Sequence, residues 1–222
     1  MTSTVSVPTL NQLDGAAIQQ HIDRAIEDVL ATLPDPKRVS ADQRRGIIAR
    51  YSTVLEGNFI YWMTGAYLAV GSEQARSKIL ENLLEEVRDS HPHMLRKFAI
   101  AANAIPTDSD AVSVYRDLTN VRLFVGRLSA VPIVLTMAFF EGFIQRFMAF
   151  LAELAQRQGS TELEYTDVHG VCDITHTQEL FRALAAEMAI NSLEPETNLF
   201  EGVDLLRALI QTIVYGEYAR LN

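Results

Sequence analysis

The chain has 222 residues, 48% of them hydrophobic and 21% charged, with a net charge of −9 and an isoelectric point near 5.0. That length can bury a sizeable core and the composition is that of a folded chain; with no dense run of Lys or Arg ("DQRR" at 42–45 is too short), a nucleic-acid partner is not expected. The single cysteine, Cys172, excludes an internal disulfide and suits a reducing cytoplasm. The opening "MTSTVSVPTLNQLDG" lacks the basic and apolar regions of a signal peptide, and residues 1–10 read as a flexible extension. The longest uncharged apolar run, Leu128 to Phe140, falls short of the ~20 residues that span a bilayer. A soluble cytoplasmic protein with no membrane partner is expected.

Apolar residues recur at helical spacing almost throughout, without strand-like alternation. About seven helices follow in chain order. The first runs from about Gln12 to Leu33 and stops at "PDPK". The second starts after Ser40, carries "RRGIIARYSTVLEGNFIYWMTGAYLAV" and stops at Gly71. Ser72 is a suitable N-cap for the third, which continues to "AANAI" with a bend at Pro92. A fourth begins near Asp108 and ends before Pro132, and the fifth runs from there to Arg157. The sixth holds "HGVCDITHTQELFRALAAEMAI", and the last spans roughly Asn198 to Arg220. No Pro/Gly-rich linker divides them, so residues 1–222 read as one all-α domain, a helical bundle.

"HGVCDITH" at 169–176 is the most informative stretch. At about 100° per residue, positions i, i+4 and i+7 return to one helical face, so His169, Asp173 and His176 point the same way. Four of the five histidines fall in two short segments, 91–93 and 169–176. Glu141 interrupts the apolar run "VPIVLTMAFFEGFIQRFMAF", and a buried carboxylate must be neutralised, paired or bound to a cation. An ion pair with Arg122 or Arg127 would serve as well as ligation. Glu56 stands alone in the same way in "STVLEGNFIYWMTG", and the third helix crowds Glu85, Glu86, Asp89, His91 and His93 together. Both "LEGNF" and "FEGF" place Gly after the acid, although "FEGVD" at 200–204 repeats the triplet without an obvious role. Acids from several helices with His plus carboxylate from others match the general plan of carboxylate-bridged di-metal bundles. Imidazole with carboxylate suits iron or manganese.

These segments resemble the heme-oxygenase-like di-iron oxidases, whose pattern ends in His-x3-Asp-x2-His. "HGVCDITH" reproduces that element, "FFEGFIQR" resembles the bridging-Glu segment, "VLEGNFIYW" the early-Glu segment and "NLLEEVRDSHPHML" the Glu/His segment, in the right order over about 45–190. The resemblance implies Glu86, His93, Glu141, His169, Asp173 and His176 as metal ligands, with Glu56 an additional acid at the second metal. His91 competes with His93, since the distortion it needs can come from Pro92. The resemblance further implies two irons, or an iron–manganese pair, with O2 as co-substrate and an external reductant. The expected reaction is oxidation of a small organic acid or amine in a biosynthetic pathway, such as N-oxygenation or oxidative C–C cleavage, by a chain that can form a homodimer. Tyr61, Trp62 and Arg88 are candidate substrate contacts, alongside Phe59, Met63, Tyr67 and Arg122; an aromatic stripe at helical spacing is equally the mark of a core.

Two other readings stay open. A thiaminase-like hydrolase of the same fold would need a Cys nucleophile, and Cys172 is the candidate, although it turns about 100° from the ligand face. A metal-free helical interaction protein would use the same acids and histidines as buried polar networks. Heme binding would need a proximal His on the first helix, where His21 is alone on a polar segment.

Overall fold

A computed structural model describes residues 15–191 and 196–216, so the flexible extension expected at 1–10 and the final residues of the last expected helix lie outside them. The described residues form eight helices and no strand: α1 (Gly15–Ala31), α2 (Ala41–Ala69), α3 (Glu73–Arg88), α4 (His91–Ala101), α5 (Asp108–Val125), α6 (Ala130–Arg157), α7 (Glu164–Met188) and α8 (Glu201–Tyr215). The all-α bundle is as expected; the eighth helix arises because the expected third one is two.

α6 is the axis of the bundle. Every residue from Val131 to Ile144 is buried, because α1, α2, α7 and α8 all pack around it. A helix enclosed on all sides carries apolar residues all round rather than a stripe. It is long and apolar enough to cross a membrane, but here that apolar surface faces other helices. Pro132 falls in its first turn, where the missing N–H has no intrahelical partner to lose, so it starts the helix without ending α5. α8 sits close against α6 at Gly202, where an added Cβ would come within 2.1 Å of Thr136 Oγ1.

Two breaks in helical geometry position the site. α2 is capped by a reciprocal Ser40–Gln43 box and is interrupted at Glu56, ψ 90°, and Gly57, φ +94°. The positive φ accounts for glycine there, since nothing lies within 4 Å of where its Cβ would be. Between α3 and α4, Ser90 adopts the left-handed conformation (φ 58°, ψ 39°), and Pro92 stands in the first turn of α4. A left-handed serine costs about 1–2 kcal/mol. The break restarts the helical register at His91.

Candidate metal centre

α3, α4, α6 and α7 bring six ligand-type side chains together between them: Glu86, His91, Glu141, His169, Asp173 and His176, all buried. The three residues of α7 share one face, as their spacing requires. They make two adjoining triads, Glu86–His91–His169 and Glu141–Asp173–His176, each with one ligand atom per residue within 4.8 Å of the others. Glu86 Oε1 lies 2.7 Å from His91 Nδ1, and His169 Nδ1 lies 3.2 Å from Asp173 Oδ1, which joins the triads. His176 Nδ1 faces Glu141 Oε1 at 3.8 Å and Asp173 Oδ1 at 3.6 Å.

His91, not His93, enters the cluster. A regular helix would turn His93 toward Glu86, but the left-handed Ser90 breaks the register, so His91 folds back on Glu86 and His93 is exposed. Glu56 is also elsewhere. The interruption of α2 leaves it half-buried and ion-paired with Arg96 of α4. Arg122 donates to Asn58 Oδ1 and Arg127 pairs with Glu201, so neither neutralises Glu141. His21 packs its ring on Phe200, outside the cluster.

Among the described residues, the ion-pair partners of Glu86, Glu141 and Asp173 are all histidines. Three buried carboxylates without a Lys or Arg leave a region that favours positive charge. Protons partly answer this. Burial, then the nearby Asp173, pushes the Glu141 carboxyl well above the usual range, against the pull of His176 and Asn82. Burial works against the charged form of His176, but Asp173, Glu141 and Glu85 prevail and hold its pKa up at about 10. His91 is likewise raised, with Glu86 outweighing burial. Asp173 is held below the usual carboxylate range despite its burial, because His169 and His176 stand beside it.

Hydrogen bonds do not complete the set. His169 Nε2, Asp173 Oδ2 and His176 Nδ1 are buried without a hydrogen-bond partner. Orphaned polar atoms are costly in a protein interior, and here three belong to one cluster of imidazoles and carboxylates. Oxygen and nitrogen donors of this kind fit iron or manganese.

Residues beyond the expected ligands support the cluster. Asn82, one turn before Glu86, donates to Glu141 Oε1 at 2.7 Å, and Glu85 Oε2 lies 2.8 Å from His176 Nε2. Tyr165 packs its ring 4.4 Å from that of His169 and shares a 2.8 Å hydrogen bond with Tyr51, also buried. Asn82 is legible afterwards as the i−4 neighbour of Glu86; the tyrosine pair has no sequence signal, since 114 residues separate its members.

A cleft opens onto the first triad. Leu55, Phe59, Ile60, Leu95, Phe140 and Ile144 form its apolar wall, while Glu86, His91, Glu141, Tyr165, His169 and Asp173 supply its polar end. Its cavity volume is about 20 Å³, room for little more than one water, so a larger guest needs the wall side chains to move apart. Of the expected contacts only Phe59 lines it. Tyr61 is exposed, Trp62 is fully buried behind Phe140, and Arg88 pairs with Asp89 on the surface. Cys172 donates to Asp173 Oδ1 at 3.1 Å, and burial followed by Asp173 raises its pKa strongly, which keeps it a thiol and unsuited to nucleophilic attack.

A family model described as iron-containing redox enzyme matches residues 47–205, a span that holds all six clustered side chains. No curated protein and no solved structure matches the chain.

Proposed function

Since the chain belongs to the iron-containing redox enzymes of heme-oxygenase-like fold, and is therefore an oxidoreductase, we propose that its cluster holds two irons and uses O2 to oxidise a small organic molecule. Glu86, His91 and His169 serve one metal position, and Glu141, Asp173 and His176 the other. The observation that carries this reading is that three buried atoms without a hydrogen-bond partner, His169 Nε2, Asp173 Oδ2 and His176 Nδ1, belong to one carboxylate-rich centre that, among the described residues, has no Lys or Arg to balance it. Iron held there would supply the electrons that reduce O2, and an external reductant would restore them.

The chain's own residues do the rest. The apolar wall of Leu55, Phe59, Ile60, Leu95, Phe140 and Ile144 excludes water and offers an apolar face, and among the described residues no Lys or Arg lines the cleft. A substrate therefore lays its apolar part on that wall and turns its polar group, an acid or an amine, toward Glu86, His91 and His169. Tyr165 stands at the same end. N-oxygenation and oxidative C–C cleavage both suit a substrate so placed. A cytoplasmic location fits Cys172, a free thiol.

Anaerobic titration of metal-free protein with Fe(II), followed by rapid mixing with O2, tests this in wild type beside His169→Ala. Uptake near two irons per chain and a transient visible absorption, both diminished in the variant, are expected. Wild-type protein that takes up no iron above background sinks the reading.

A further inference from the structure

Glu85 directly precedes Glu86, yet its side chain leaves α3 in a different direction, as a rotation of about 100° per residue requires. It reaches α7, 91 residues away in sequence, where Oε2 meets His176 Nε2 at 2.8 Å. The opposite ring nitrogen, Nδ1, is buried, has no hydrogen-bond partner, and looks toward Glu141 and Asp173. An imidazole that ligates through one nitrogen holds a proton on the other, and the acceptor of that proton fixes both the ring's orientation and its basicity.

The other two histidines differ in this respect. His91 Nδ1 rests on Glu86 and His169 Nδ1 on Asp173, both members of the triads themselves. Only His176 has its orienting acid outside the triads, and that acid is 42% exposed along its side chain. Glu85 also belongs to no group of converging ligand atoms.

From this geometry we infer that Glu85 is a positioning residue: it holds the Nε2–H of His176, makes Nδ1 the donor to the second metal position, and so sets how firmly that position keeps its ion. The inference rests on the two-metal reading above. It makes the two positions unequal, one formed wholly of buried residues and one steadied from the protein surface.

The test is stepwise anaerobic Fe(II) calorimetry of the full chain, wild type beside Glu85→Ala and Glu85→Gln, with the reduction potential of each loaded protein. Glu85→Ala is expected to weaken one binding step about 10–100-fold and leave the other within about threefold. Glu85→Gln is expected to restore most of that loss, since its amide oxygen accepts the same proton, while the potential rises because an anionic partner has gone. Wild-type affinity in Glu85→Ala overturns the inference. So does equal damage by Gln and Ala, which would make Glu85 a ligand in its own right, and so does an unchanged potential in Gln. Should Glu85→Ala not fold, the Gln variant decides alone, by retained affinity with a raised potential. A wild type that binds no iron is a different result: it removes the two-metal reading itself, whatever the variants do.

Discussion

Glu187 and Glu141 are both carboxylates shut inside an apolar bundle, and their surroundings differ. Glu187, near the C-terminal end of α7, accepts from the backbone N–H groups of Gly71 and Ser72, each at 2.9 Å, and from the side chain of Asn191. It closes the turn between α2 and α3, and both of its oxygens are used. Glu141, at the middle of α6, has Asn82 as its one hydrogen-bond donor among the described residues and sits near Asp173. Burial alone therefore says little about a carboxylate's role. What separates the two is whether the neighbours complete the hydrogen bonds and the charge, and around Glu141 they do neither.

Substitutions at the two positions should fail in opposite ways. The largest effect is expected from Glu141→Gln, which keeps the shape and can still accept from Asn82. It should abolish uptake of one iron equivalent while leaving the metal-free protein as stable as wild type or more so, as when buried charges are replaced by neutral groups of similar volume; iron content and chemical denaturation check this together. Next comes Glu187→Ala, expected to cost about 3 kcal/mol by stranding the N–H groups of Gly71 and Ser72 while iron stoichiometry stays unchanged. A melt that does not move in this variant would break the comparison.

An effect of similar size follows from pH. The folded-state pKa of His176, about 10, exceeds the ordinary histidine value of about 6.5. The folded chain therefore binds the extra proton, and the stability it contributes is full below about pH 6.5 and lost as pH rises through about 10. Metal-free wild type should lose on the order of 3 kcal/mol between pH 7 and 10, read from its melting temperature, and His176→Ala should flatten that slope where Glu187→Ala does not. The smallest effect is expected at the α2 interruption: Gly57→Ala, forced to positive φ, should cost about 1 kcal/mol with both iron equivalents retained.

Much of the architecture was legible in the sequence because helical periodicity is local. The face shared by His169, Asp173 and His176 needed only their spacing, and Glu141 stood out by interrupting an apolar run. The differences between the expected and observed placements share one physical cause, in that backbone breaks are invisible to a pattern that assumes continuous helix. Ser90 gives no composition signal for a left-handed residue, yet it exchanges His93 for His91. The interruption at Glu56–Gly57 likewise sends an acid expected at the centre out to Arg96. Three Glu-Gly steps show how little the pair itself encodes: Glu56 pairs with Arg96, Glu201 with Arg127, and only Glu141 belongs to the cluster. The cleft wall was mostly missed because Leu55, Ile60, Leu95, Phe140 and Ile144 look like any core residues until the helices are assembled.

The contacts that hold the second triad in place join distant parts of the chain: Asn82 to Glu141 spans 59 residues and Glu85 to His176 spans 91. Closing loops of that length carries an entropy cost that rises only slowly with length, and apolar packing along α6 meets it without help from any ion. No such triad exists in an unfolded chain, so an ion held by it binds the native state more tightly than scattered His and acid side chains of the unfolded chain could. Iron is then a folding ligand as well as a reagent. At a free concentration a hundredfold above its dissociation constant it would deepen the native well by about 2.7 kcal/mol, and a chelator would lower the melting temperature of this bundle without breaking a bond in it.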